Sequence, residues 1–179
     1  GVGGGSHGQN TGRMLEKIEE VLVQEKPDYV LVYGDTDSTL AGTLAAVKLH
    51  IPVAHVEAGL RSFNRKMPEE INRMVTDAIT DVFYTTSEVA NENLRKLGHA
   101  ESKIRYVGNT MIDTLLKNMS RFTPPPAWQE FDLQEKGYFV MTLHRPANVD
   151  QEAQLKKLID EIKENSSIQI ITKAKDKEA

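Results

Sequence analysis

The sequence contains no cysteine, so disulfide bonds and metal sites built from thiolates are excluded. No apolar run approaches the roughly 18 residues that cross a bilayer, and no basic-then-apolar leader opens the chain. These absences predict a cytoplasmic protein with no membrane partner. The net charge is −4 at pH 7, and no basic stripe is interleaved with aromatic residues, which argues against a nucleic-acid partner. The 39% of apolar and 27% of charged residues are typical of a folded globular protein.

Short apolar runs alternate with amphipathic segments along most of the chain. Apolar residues at helical spacing predict a first helix over residues 11–26, with Thr11 as its candidate cap. Pro68 suits the first turn of a later helix, and Ser87 and Gly98 are predicted to cap and to end another. Because strands alternate with helices, we expect an α/β fold with a parallel sheet.

Residues 120–136 interrupt this alternation with three consecutive prolines and mixed polar residues. This composition predicts an interdomain linker. Residues 1–119 would then form an N-terminal lobe, and residues 137–179 would begin a second β-α-β unit. The start of the chain is a glycine-rich loop and the end follows an apparent strand, so we expect the chain to be part of a longer protein.

Ionisable residues stand at the ends of three predicted strands: Asp35, Glu57 and His144. Ligands bind at the carboxyl ends of the strands in open parallel sheets, so these side chains would share one rim. His144 and its neighbour Arg145 could also be a surface pair. The functional interpretation depends on the coincidence of these groups at one edge.

The acids and the histidine near this edge also have structural interpretations. Asp35 could cap the helix that follows it. His55 and Glu57, on one face of a strand, could form a hydrogen bond with each other. Glu69 and Glu70 could be solvated acids at the start of a helix. No metal is expected, since His55 and Glu57 supply only two ligands.

Three stretches in order, "VYGDTDSTLAGTLAAVKLHIPVAHVEAGLRSFNRKMPEEINRMVTD", "VGNTMIDTL" and "TLHRPANV", strongly resemble the UDP-N-acetylglucosamine 2-epimerases. The likeness runs to about residue 171. It implies two Rossmann-like lobes in the glycosyltransferase-B arrangement, with the active site between them. It also implies interconversion of UDP-N-acetylglucosamine and UDP-N-acetylmannosamine without a cofactor, in a protein that is a homodimer at full length. Supply of N-acetylmannosamine to surface polysaccharides fits this family.

The resemblance also implies roles for particular residues. The essential acids of the family match Asp35, Glu57 and Glu69, the last being the first of the adjacent pair, and its essential histidine matches His144. Asp35 and Glu69 would be the acid/base groups, Glu57 would give electrostatic support, and His144 would act on the departing UDP. We expect substrate contacts from three further side chains: His55, Arg73 and Arg145.

This chain departs from the family in its extent. The first strand of the family and most of its second lobe are absent, and the sequence after Ile171 does not follow the family pattern. We therefore expect little or no activity from the 179 residues alone. The alternatives are a hydrolysing epimerase that releases UDP and N-acetylmannosamine, an epimerase of a diacetamido sugar nucleotide, a glycosyltransferase, and a non-catalytic sugar-nucleotide-binding fragment.

Overall fold

A computed structural model of the chain describes residues 2–143, 146–164 and 169–171. The chain divides into two units, Gly1–Ser120 and Arg121–Ala179. Among the described residues, no helix has both the length and the apolar character needed to cross a membrane.

The first unit is a parallel sheet of four strands with connecting helices, as predicted. The strands lie side by side in chain order. They are β1 (Val30–Tyr33), β2 (Val53–Val56), β3 (Val82–Thr85) and β4 (Ile104–Tyr106). The helices are α1 (His7–Glu25), α2 (Asp37–Lys48), α3 (Pro68–Ile79), α4 (Glu88–Lys96) and α5 (Thr110–Asn118), with 3-10 turns at Glu101–Lys103 and Met119–Arg121.

Helix α1 begins at His7, so the prediction that Thr11 caps it is wrong. The side chain of Ser6 accepts a hydrogen bond from the N–H of Gln9 (3.4 Å). The side-chain oxygen of Gln9 in turn accepts one from the N–H of Ser6 (3.1 Å). This reciprocal pair satisfies two of the N–H groups that a helix start leaves free, which is why the helix extends into the glycine-rich segment.

Small side chains let helix α2 pack closely on the sheet. A Cβ atom on Gly42 would lie only 3.5 Å from Cγ1 of Val32 in β1.

Full burial of a valine or phenylalanine side chain contributes about 1.5–3 kcal/mol. The two core clusters are Leu22, Val32, Ala45, Ala46 and Val53, and Ala58, Phe83, Leu94 and Ile104.

Helix α3 buries polar residues and exposes apolar ones. It begins with Pro68 in its first turn, as predicted. A buried carboxylate or amide is costly unless it is hydrogen-bonded, so the inner face of α3 must find partners within the protein. The buried residues are Glu70, Asn72, Thr76 and Asp77, whereas Ile71, Met74 and Val75 are about a third exposed.

The second unit contains a two-stranded parallel sheet. Strands β5 (Tyr138–Val140) and β6 (Gln169–Ile171) pair with each other. Helix α6 (Pro126–Glu130) lies within the stretch predicted as a linker, and helices α7 (Pro146–Val149) and α8 (Glu152–Glu164) lie between the strands in the chain. The predicted succession of strand, helix and strand is thus present.

Candidate active site

Two turns at the carboxyl edge of the four-stranded sheet carry the first two predicted acids. After β1, Gly34 has φ 65°, a left-handed conformation that glycine adopts without strain, and Asp35 follows it. After β2, Glu57 itself has φ 70°, which costs a non-glycine residue about 1–2 kcal/mol. The N–H of Gly34 donates to the carbonyl of Val56 (3.1 Å), so the two turns start side by side.

Asp35 is held by residues of helix α3. Its Oδ2 atom accepts hydrogen bonds from Nε (3.0 Å) and Nη2 (2.6 Å) of Arg73. Asn72 donates from Nδ2 to the carbonyl oxygen of Asp35 (2.9 Å). The alternative that Asp35 caps helix α2 is wrong, because Thr36 occupies the cap position. The side chain of Asp35 remains 33% exposed, and its Oδ1 atom has no partner among the described residues.

Glu57 lies against the turn that carries Asp35. Its Oε2 atom is 3.8 Å from the point where a Cβ atom on Gly34 would stand. The side chain is half-buried and makes no hydrogen bond or ion pair within the described ranges. The alternative that it pairs with His55 is wrong, because β2 ends at Val56 and His55 has other partners. The structure therefore brings Asp35 and Glu57 together at one edge.

The adjacent acids of helix α3 have different surroundings. Glu70 is buried and accepts hydrogen bonds from the N–H (2.9 Å) and hydroxyl (3.1 Å) of Ser62, the N–H of Phe63 (3.1 Å) and Nη1 of Arg73 (2.8 Å). Burial raises the pKa of Glu70, but these hydrogen bonds outweigh it and hold the pKa below its ordinary value of 4.5. Glu69 is exposed and has no hydrogen bond or ion pair to any described residue. The carboxylate of Glu70 thus binds the loop after β2 and Arg73, whereas the carboxylate of Glu69 is available to bind a ligand.

Three buried ionisable side chains, those of His55, Asp77 and Arg61, contact one another beside these turns. Nδ1 of His55 lies 2.7 Å from Oδ1 of Asp77, and Nε2 lies 2.7 Å from the carbonyl oxygen of Gly34. Oδ2 of Asp77 accepts a hydrogen bond from the N–H of Gly59 (3.1 Å) and pairs with Nη1 of Arg61 (2.7 Å). His55, expected from the sequence to contact substrate, is fully buried and has no ring nitrogen left for a ligand.

Asp77, Asn72 and Glu70 were not predicted from the sequence to belong to the site. A signal for two of them is present, since positions 70, 73 and 77 fall on one face of a helix. The apolar residues of the same helix concealed this face, because apolar positions are normally the buried ones. The partners of these polar residues are distant in the chain, so only the fold reveals them.

A pocket of about 520 Å³ lies next to Glu70. Neither Asp35 nor Glu57 lines this pocket. Burial lowers the pKa of His99, one of its lining residues, which favours a neutral ring there. Its lining includes Arg61, Phe63, Arg65, Met74 and His99.

Two predicted site residues, His144 and Arg145, lie outside the described residues. Within the ranges described, no group of three acidic or histidine side chains could hold a metal ion. The edge of the sheet instead presents carboxylates, which can take up or deliver a proton and can stabilise a developing positive charge. An open α/β sheet of this kind defines a class of protein that binds its ligand at the carboxyl ends of the strands.

The chain belongs to the UDP-N-acetylglucosamine 2-epimerase family, whose model matches residues 1–178. The predicted fold class, an α/β lobe of the glycosyltransferase-B type, is confirmed by its structural neighbours.

Two curated relatives are equally similar to this chain. UDP-2,3-diacetamido-2,3-dideoxy-D-glucuronate 2-epimerase of Pseudomonas aeruginosa is 48% identical, over 91% of this chain and 46% of its own. UDP-N-acetylglucosamine 2-epimerase of Methanocaldococcus jannaschii is 48% identical, over 90% of this chain and 45% of its own. The crystal structure of the latter with UDP-GlcNAc and UDP has a TM-score of 0.81 at 47% identity, covering 94% of this chain and 48% of that one. The chain thus spans about half the length of the curated relatives it matches.

Proposed function

We propose that the full-length protein carrying this chain interconverts UDP-N-acetylglucosamine and UDP-N-acetylmannosamine. The observation that supports this most is the position of Asp35 and Glu57 on adjacent turns at the carboxyl edge of the sheet, in a chain of the 2-epimerase family. A relative of the same family, from Methanocaldococcus jannaschii, is named UDP-N-acetylglucosamine 2-epimerase and has been crystallised with UDP-GlcNAc and UDP.

The hydrogen on C2 of the sugar is not next to a carbonyl group, so simple removal of this proton would be too slow. Its removal must be coupled to the departure of UDP from C1. We propose that a base removes the C2 proton while the C1–O bond breaks, its electron pair leaving with UDP and a C1–C2 double bond forming. The intermediate is a 2-acetamidoglucal. A proton is then delivered to the opposite face of C2, and an oxygen of UDP returns to C1. Removal and delivery on opposite faces require two acid/base groups.

Asp35 suits the first of these roles. Both hydrogen bonds from Arg73 go to Oδ2, which orients the carboxylate and leaves Oδ1 without a partner among the described residues. Glu57 lies beside the same turn, and its carboxylate would stabilise the positive charge that develops at C1 as the diphosphate leaves.

Glu69 suits the second acid/base role better than Glu70. Glu70 is occupied by four hydrogen bonds, whereas Glu69 is exposed and makes none with any described residue. His144 would stabilise or protonate the departing UDP, with Arg145 at its phosphate; both assignments rest on the family pattern.

The full-length protein and its Glu57→Gln variant test this function by NMR in D₂O. With UDP-N-acetylglucosamine, we expect UDP-N-acetylmannosamine to appear with deuterium at C2, and the variant to turn over about 100- to 1000-fold more slowly while keeping its fold. The matched control is Glu92→Gln, an exposed glutamate of α4, which should remain near the wild-type rate. A near-normal rate in Glu57→Gln would refute the role of that carboxylate.

The products separate the remaining alternatives. Free N-acetylmannosamine together with UDP would identify a hydrolysing epimerase. Transfer of the sugar to an acceptor without exchange at C2 would identify a glycosyltransferase, and binding of UDP without any turnover would identify a binding protein.

A diacetamido sugar nucleotide is a second candidate substrate. The Pseudomonas aeruginosa relative named for UDP-2,3-diacetamido-2,3-dideoxy-D-glucuronate is as similar to this chain, at 48% identity, as the Methanocaldococcus jannaschii relative. Measuring kcat/KM for both sugar nucleotides on the full-length protein decides between them, because the preferred substrate has the higher value.

A further inference from the structure

We propose that His55 is a buried imidazolium, held by Asp77, that positions the turn of Asp35 relative to Glu57. The catalytic consequence rests on the proposed function. The charge of His55 follows from its contacts alone and can be measured separately.

Both partners of the His55 ring can only accept hydrogen bonds. Nε2 faces the carbonyl oxygen of Gly34 at 2.7 Å, and Nδ1 faces Oδ1 of Asp77 at 2.7 Å. A neutral imidazole has one N–H and one lone pair, so it would direct that lone pair at an oxygen. Each nitrogen must therefore carry a proton, and the ring is positively charged.

Asp77 is the counter-charge of this ring. Its second oxygen receives the N–H of Gly59 at 3.1 Å and lies 2.7 Å from Nη1 of Arg61. The contact with Arg61 is an ion pair, and the contact with Gly59 is a hydrogen bond from a backbone N–H. A buried charge requires a partner and hydrogen bonds. Asp77 is the partner of both His55 and Arg61, so with a protonated ring these three side chains carry a net charge of +1.

This one carboxylate reaches both turns of the candidate site. Asp77 binds the backbone of Gly59 directly, two residues after Glu57. Through His55 it also binds the backbone of Gly34, the residue before Asp35. Gly34 and Gly59 have φ angles of 65° and 77°, so each lies in a tight turn whose orientation determines where the neighbouring carboxylate lies. His55 and Asp77 are thus positioning residues and do not touch substrate.

The first experiment measures the charge of His55 in the wild-type full-length protein. With ¹⁵N-labelled histidine and assignment by a His55→Gln variant, we expect one-bond N–H couplings at both ring nitrogens of His55 at about pH 8, where a free histidine is neutral. A ring nitrogen without a proton would overturn the proposal. This readout needs no enzymatic activity.

The second experiment compares Asp77→Asn with Asp81→Asn. Asp81 is a matched control, because its carboxylate also binds strand β2. It accepts a hydrogen bond from the N–H of Val53 (3.0 Å), at the end of β2 that is far from Glu57. We expect kcat of Asp77→Asn to fall about 100-fold, the scale of a 1 Å misplacement of reacting groups, with KM within about threefold. The wild-type kcat should be kept by Asp81→Asn even if both variants lose stability.

Equal losses of kcat in the two variants would overturn the positioning role, because they would show a general effect of weakening β2. A wild-type protein that does not act on UDP-sugars would refute the proposed function and with it the catalytic consequence. The protonation of both ring nitrogens of His55 would then be tested by the NMR result alone.

Discussion

Replacing Glu70 and Glu69 by glutamine, one at a time, should separate stability from catalysis in two adjacent residues. Glu70 is fully buried and accepts four hydrogen bonds, from Ser62, Phe63 and Arg73. Glu69 is exposed and unbonded among the described residues. The same chemical change therefore removes a structural anchor at one position and a proposed acid/base group at the other.

The size of the stability loss follows from the contacts of Glu70. A hydrogen bond to a charged group contributes about 1.5–3 kcal/mol, and bonds that share one carboxylate are not additive. A glutamine retains one acceptor oxygen, but its NH₂ group would face the donors of Ser62, Phe63 or Arg73. We expect the free energy of unfolding to fall by about 2–4 kcal/mol in Glu70→Gln. In Glu69→Gln it should change by less than about 0.5 kcal/mol, as at most surface positions.

Turnover should be affected more by Glu69→Gln than by Glu70→Gln, the reverse of the order for stability. Loss of a general acid/base group lowers turnover by about 100- to 10,000-fold, so Glu69→Gln should be nearly inactive while fully folded. Urea-induced unfolding followed by circular dichroism gives the stabilities of the full-length variants, and turnover is measured well below their melting temperatures. Equal stability losses would refute the structural reasoning. An active Glu69→Gln beside a folded but inactive Glu70→Gln would move the acid/base role to Glu70.

Two further predictions concern stability. A Cβ atom on Gly59 would lie 2.4 Å from the carbonyl oxygen of Ala90, and Gly59 has φ 77°. Gly59→Ala should therefore lower the free energy of unfolding by about 3 kcal/mol or more, whereas Gly98→Ala, at φ 87° with nothing within 4 Å, should cost only about 1–2 kcal/mol; equal losses in urea unfolding would contradict the clash. Because folding lowers the pKa of Glu70 from 4.5, its contribution to stability is complete above that pH and is lost as the pH falls through the folded value. As the pH falls below about 4.5, unfolding free energy should thus fall more steeply in the wild type than in Glu70→Gln, and parallel profiles would count against the linkage.

The sequence predicted those parts of the fold that depend on neighbouring residues. Alternating apolar runs and amphipathic segments indicated a parallel α/β sheet, and Ser87 caps helix α4 as predicted, accepting a hydrogen bond from the N–H of Ala90 (3.2 Å). The rule that the carboxyl ends of parallel strands share an edge was enough to predict that Asp35 and Glu57 would lie on the same edge of the sheet. Ser6 was missed because glycines around it concealed a capping box.

The tertiary structure decided which polar groups are paired and which are free. Arg73 binds Asp35 from 38 positions away, and Asp77 binds His55 from 22 positions away. Such pairs have no periodic signature, since each depends on how α3 packs against the strand ends. For the same reason Glu69 and Glu70, identical in type and adjacent in the chain, could be distinguished by contacts only in the folded protein. Hydrophobic periodicity is a local property of the chain, whereas the burial and ionisation of a side chain depend on residues that only folding brings near it.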